Sequence, residues 1–82
     1  QMKNVTMNTQ AIVQLDSGTA NAIEEDVQSK WEGVELYSSD CCSGMSVFSY
    51  EDDDNDALLQ FVDEVHDMII DCGGCAHKTA VF

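Results

Sequence analysis

Ala57, Leu58, Phe61, Val62, Val65, Met68 or Ile69, and Cys72 recur at three- and four-residue steps through a segment with no Lys or Arg. Only a helix gathers such positions on one side, so the chain must build a core that accepts one amphipathic helix. Asp53 or Asp54 is placed to cap its first turn, where acids also suit the positive end of the helix dipole. Gly73-Gly74 stops it. The other face of that helix is acidic, and nothing nearby in sequence neutralises it.

The remaining elements follow from the change of period on either side. Val5, Met7, Thr9, Ala11, Val13 and Leu15 alternate with Thr6, Asn8, Gln10, Ile12, Gln14 and Asp16, the pattern of a long strand with one buried face. Asp16-Ser17-Gly18-Thr19 breaks the alternation and offers N-cap side chains for a first helix, in which Ala20, Ile23, Val27 and Trp31 share a face and Gly33 ends the run. Residues 34–39 and 45–50 read as two short strands joined by the turn Asp40-Cys41-Cys42-Ser43-Gly44, and 75–82 alternates as a last strand. The order is β-α-β-β-α-β. It predicts an α+β, ferredoxin-like fold, with a four-stranded antiparallel sheet and two helices on one face.

Size and charge bound the function. Eighty-two residues suffice for one modest core, so a single domain over 2–82 is expected, with Gln1 ahead of Met2 taken as a remnant of expression. Sixteen acids against three bases, Lys3, Lys30 and Lys78, give a net charge of −13. Direct nucleic-acid binding is excluded by that balance, because phosphate contacts need clustered Lys and Arg, and anionic membranes are disfavoured on the same ground. No apolar run would span a bilayer and no signal peptide opens the chain, so a cytoplasmic protein is expected.

Asp56, Gln60, Asp63, Asp67 and Asp71 step along the second helix by four, three, four and four residues, one group per turn. Glu51, Asp52, Asp53 and Asp54 extend the row at its start. Like charges four residues apart destabilise a helix, and Asp67 and Asp71 also oppose the negative end of the dipole. A sequence that breaks local rules without local compensation points to a functional surface. The expected partner is the basic, nucleic-acid-binding surface of another protein, with the acidic face standing in for a polyanion. A salt-adapted domain with a merely solvated acidic face is the plainer alternative.

A strongly acidic chain of this size, with a small α+β core and no catalytic constellation, resembles the inhibitors of phages and mobile elements: anti-CRISPR proteins, anti-restriction proteins and the uracil-DNA glycosylase inhibitor. The resemblance rests on charge, size and expected fold and carries no residue roles. It implies a phage-encoded inhibitor acting in the host cytoplasm, in several such cases by DNA mimicry.

Four cysteines open a further alternative. Cys41-Cys42 in the hairpin turn and Cys72-Gly73-Gly74-Cys75 after the second helix are expected at the same end of the sheet. They suit a small metal-binding or redox module, with zinc on Cys72, Cys75 and one or both hairpin thiols, with or without His77; a disulfide between the pairs; or free, mostly packed thiols. Asp52, Asp54, Asp56 and Asp63 have the spacing of an EF-hand loop, but Ala57 stands where glycine is needed. His66 and His77 lack a neighbouring nucleophile, so no enzyme and no cofactor is expected. A homodimer through the first or last strand is allowed.

Overall fold

The β1 strand, Gln10–Asp16, buries Ala11, Val13 and Leu15 completely, as its alternation requires. The computed structural model describes residues 9–39 and 43–82, so the expected strand positions 5–8 and the turn residues Asp40, Cys41 and Cys42 lie outside it. Chain order continues with α1, Ser17–Lys30; β2, Glu35–Ser38; β3, Met45–Glu51; α2, Asn55–Asp71; and β4, Ala76–Val81. The four strands form one antiparallel sheet in the order β2-β3-β1-β4, a ferredoxin-like βαββαβ arrangement. β1 is therefore interior, hydrogen-bonded to β3 on one side and β4 on the other. Its described residues offer no free edge to another chain, whereas β2 and β4 are edges.

Both helices begin with a carboxylate cap. The Asp16 side chain accepts the Thr19 N–H at 3.1 Å, and the Asp54 side chain accepts the Asp56 N–H at 3.0 Å, each satisfying a donor the helix leaves open. α2 ends on Gly73 at φ +84°, with Gly73 N–H on the Ile70 carbonyl and Gly74 N–H on the Ile69 carbonyl, the paired bonds of a Schellman turn.

The core lies between the helices and one sheet face. Leu58, Phe61, Val65 and Ile69 of α2 and Ala20, Ile23 and Val27 of α1 meet Ala11, Val13, Leu15, Phe48 and Tyr50 of the sheet. Phe61 is the centre of this contact: it stacks on Tyr50 with ring centroids 4.9 Å apart and meets Trp31 edge-to-face at 5.4 Å. Aromatic pairs of this kind add roughly 0.5–1.5 kcal/mol each to the area they bury. Cys72, expected in the buried stripe, is instead exposed at the C-cap of α2. The chain turns inward two residues later, at Gly74, which packs against Thr19 at the start of α1.

No helix among the described residues covers the opposite sheet face. Gln10, Gln14, Tyr37, Val47, Ser49, Glu51 and Lys78 belong to that face by strand register. Two side-chain bonds cross it, Gln10 Nε2 donating to Ser49 Oγ and Gln14 Nε2 donating to Ser39 Oγ, both at 2.8 Å. Gln14, expected on a solvated face, is buried as a result.

A methyl group added at Gly74 would sit 2.8 Å from Thr19 Oγ1 and 3.1 Å from its Cγ2. Gly74→Ala should therefore cost about 1–3 kcal/mol in urea denaturation. Combined with Thr19→Ala it should cost much less than the two single substitutions summed, because the second removes both clashing atoms.

Candidate binding surface on the second helix

α2 turns the carboxylates of Asp56, Asp63, Asp67 and Asp71 to solvent, because burying Leu58, Phe61, Val65 and Ile69 leaves the opposite side no other choice. No hydrogen bond or ion pair holds any of those four carboxylates among the described residues. Gln60 completes the row and donates through Nε2 to Glu64 at 2.9 Å. The row expected from spacing is thus a physical row, with its members one turn apart, or about 5–6 Å.

The group expected to extend it divides. Glu51 closes β3 on the helix-free face of the sheet, beside Gly33, Glu35 and Ser49, and does not join the α2 row. Asp52 accepts from the Asp54 N–H at 2.9 Å and from the Tyr50 hydroxyl at 2.8 Å, and these bonds hold its carboxyl below the usual range. Asp54 is committed to capping. Asp53 is exposed at the entry to the helix. Burial, and then the Asp52 carboxylate, pushes the Tyr50 phenol up. The acids spaced like a calcium loop therefore build the turn and cap of α2; Asp52 and Asp54 already bind donors of this chain.

One neutralising contact comes from far away in sequence. Lys30, at the end of α1, reaches Glu64 Oε1 at 2.6 Å, and its ammonium lies 5.6 Å from the Trp31 ring centre. It is the ion pair formed among the described residues. The groove beside it, of about 320 Å³, is lined by Lys30, Glu64, Asp67, Met68 and Asp71, so negative charge prevails along the seam between the helices. Glu64 is held below its usual range, first by Lys30 and then by Gln60.

The flank of α2 that faces β4 was not singled out by its spacing. His66 Nε2 and Thr79 Oγ1 share a hydrogen bond at 2.8 Å, which fixes that flank over the edge strand. Leu59 and Ile70 lie on the same flank and are 51% and 66% exposed. Their signal in the sequence is angular: two apolar residues eleven positions apart, within about 20° of one another at 100° per residue, off the buried stripe.

Cys72 and Cys75 are exposed, free thiols, which corrects the expectation of packed thiols for this pair; Cys41 and Cys42 lie outside the described residues. Among the described residues no three His, Cys, Asp or Glu side chains converge on a point that would hold a metal. His77 is exposed on β4. Gly44 and Gly74 both meet the start of α1: Ser17 N–H donates to the Gly44 carbonyl at 3.0 Å, and Gly74 packs on Thr19. No helix of the described residues is long and apolar enough to cross a membrane.

Comparison with known proteins yields no match to a family model, a curated protein or a solved structure.

The Lys30–Glu64 pair carries a pH signature. A carboxylate whose pKa is lowered on folding stabilises the fold above its unfolded value and loses that contribution as pH falls through the folded value. Glu64→Gln should lower stability at about pH 7, and the difference from the parent chain should shrink as pH falls through the folded value. Denaturation midpoints of the two proteins across that range provide the check.

Proposed function

We propose that this chain is a non-enzymatic inhibitor that docks its acidic helix α2 on the nucleic-acid-binding surface of a host defence or nucleic-acid-handling complex. The observation that carries the reading is the row Asp56, Asp63, Asp67 and Asp71, unpaired among the described residues and held on one side of a helix that the core immobilises. A free carboxylate on a fixed scaffold needs no reorganisation to meet a Lys or Arg, so its Coulomb attraction is spent on association and not on ordering. Charge of one sign also steers encounter and speeds it, an effect that salt weakens over a Debye length of about 8–10 Å near physiological ionic strength.

Polyanion mimicry is the economical mechanism for such a surface. A groove that binds nucleic acid is lined with cations spaced to meet phosphates, and it accepts another ordered array of negative charge. A CRISPR effector complex, whose channel holds a heteroduplex by its backbone, is a fitting target of this kind. The anti-CRISPR and DNA-mimic inhibitors resemble the chain in charge and size, and the site of action would be the host cytoplasm. The contact residues are Asp53, Asp56, Asp63, Asp67 and Asp71; Asp52 and Asp54 support the helix entry, and Glu51 contacts a partner only if that partner wraps around the sheet.

Replacing Asp63, Asp67 and Asp71 with Asn tests the proposal on two readouts. Stability at low salt should rise, by about 0.3–1 kcal/mol, because two like-charge pairs and an unfavourable dipole contact are removed. Displacement of DNA from an effector that the parent chain inhibits should fall at least about tenfold, the loss of roughly 1.4 kcal/mol of contact energy. A folded triple variant that displaces DNA as well as the parent would reject α2 as the contact surface.

A further inference from the structure

Beside the acidic row, α2 and β4 together form a second feature that the charge does not explain. Gln10 and Phe82 exchange both backbone hydrogen bonds, at 2.7 and 2.8 Å. In an antiparallel pair such residues alternate with ones that turn their N–H and C=O groups away, so in the register Ala11–Val81 and Val13–Thr79 the backbone groups of Val81 and Thr79 point outward from the sheet. Among the described residues β4 is an edge, and there those outward groups form an open template.

The helix above that edge is also unfinished. His66 faces Thr79, and Leu59 and Ile70 lie within about 20° and 40° of His66 around the helix, on its outward side. They are half-exposed or more, with half-buried Val62 on the inner side of the same flank. A strand added at about 4.8 Å beyond β4 would pair with Thr79 and Val81 and would lay its helix-side residues against Leu59 and Ile70. One added element would thus satisfy the backbone edge and cover both exposed side chains. Asp63 lies just beyond that stripe on α2, so the same element would have negative charge along its outer margin.

We infer that β4 and the Leu59–Ile70 flank of α2 receive an extended, apolar segment of the partner protein flanked by Lys or Arg, joining the sheet as a fifth strand. The inference rests on the acidic reading of α2 and extends it from charge to a recognition element. Complementary charge selects this occupant over a second copy of the chain, since each copy carries −13 and would bring another Asp63–Asp67 row against the first. Strand addition of this type draws affinity from main-chain bonds and specificity from alternate side chains.

The test uses the full chain and a ten-residue peptide of alternating Val and Lys, N-methylated on one edge so that it pairs only once, with a Val/Glu peptide as its counterpart. Binding of the Val/Lys peptide should slow hydrogen exchange at the Thr79 and Val81 amides at least about tenfold. Leu59→Ser with Ile70→Ser, at exposed positions that leave the core intact, should weaken binding about tenfold, equivalent to roughly 1.4 kcal/mol. Binding that leaves those two amides unprotected, or that survives the double substitution, would overturn the strand-addition inference and leave the acidic function standing. Concentration-dependent protection of the same amides without peptide would overturn it in favour of a second copy. Equal affinity for the Val/Glu peptide would overturn the cationic partner, and with it the function on which the inference rests.

Discussion

Phe61 sets the orientation on which the rest of the surface depends. Its ring is held between the face of Tyr50 on β3 and the edge of Trp31 after α1, so it ties the second helix to the sheet and to the first helix at one point. With Leu58, Val65 and Ile69 buried above and below it, turning α2 by two residues, about half a turn, would put Asp63, Asp67 and Asp71 where Phe61, Val65 and Ile69 sit. Burying an unpaired carboxylate costs several kcal/mol, more than any surface repulsion among Asp63, Asp67 and Asp71 could return. The outward acidic row is therefore enforced by the core, and its members cannot turn inward to relieve one another.

The same orientation distributes the three kinds of surface around the helix. Toward α1, Glu64 is neutralised by Lys30; straight outward, four carboxylates stand free; toward β4, His66 bonds Thr79 and leaves Leu59 and Ile70 uncovered. A helix that needed only solubility would carry Lys among the acids and would not leave two branched aliphatic residues on the flank beside an open edge. In the proposed docking, charge would account for long-range attraction, and the apolar flank and the outward amides of β4 would supply short-range contacts that salt does not screen.

Much of the fold is legible in the sequence because its signals are local. The alternation through Ala11, Val13 and Leu15, the caps Asp16 and Asp54, the stripe of α2 and the stop at Gly73 all depend on neighbours a few residues away. What escapes is set by register across the sheet or by packing between distant segments. Glu51 belongs to the helix-free face because Tyr50 before it must reach Phe61. Gln14 is buried because Ser39, two strands away, accepts from its amide. Lys30 finds Glu64 across thirty-four positions, and Cys72 stays outside because Gly74 makes the close approach to Thr19.

The acidic surface was legible at the level of a row and not at the level of individual roles. Spacing treats Asp52, Asp54 and Asp56 alike, yet one holds Tyr50 and the helix entry, one caps, and one is free, since a carboxylate near a helix start is captured by whichever backbone N–H lies open. Those captures make the row rigid at its N-terminal end. Farther along, Asp63, Asp67 and Asp71 have no hydrogen-bond or ion-pair partner among the described residues, and the C-terminal carbonyls repel Asp67 and Asp71. Free negative charge is thus concentrated toward the end of α2 where the chain turns into β4, the same end that presents exposed Ile70. A partner drawn in by the charge would arrive where the apolar flank and the open backbone edge can hold it.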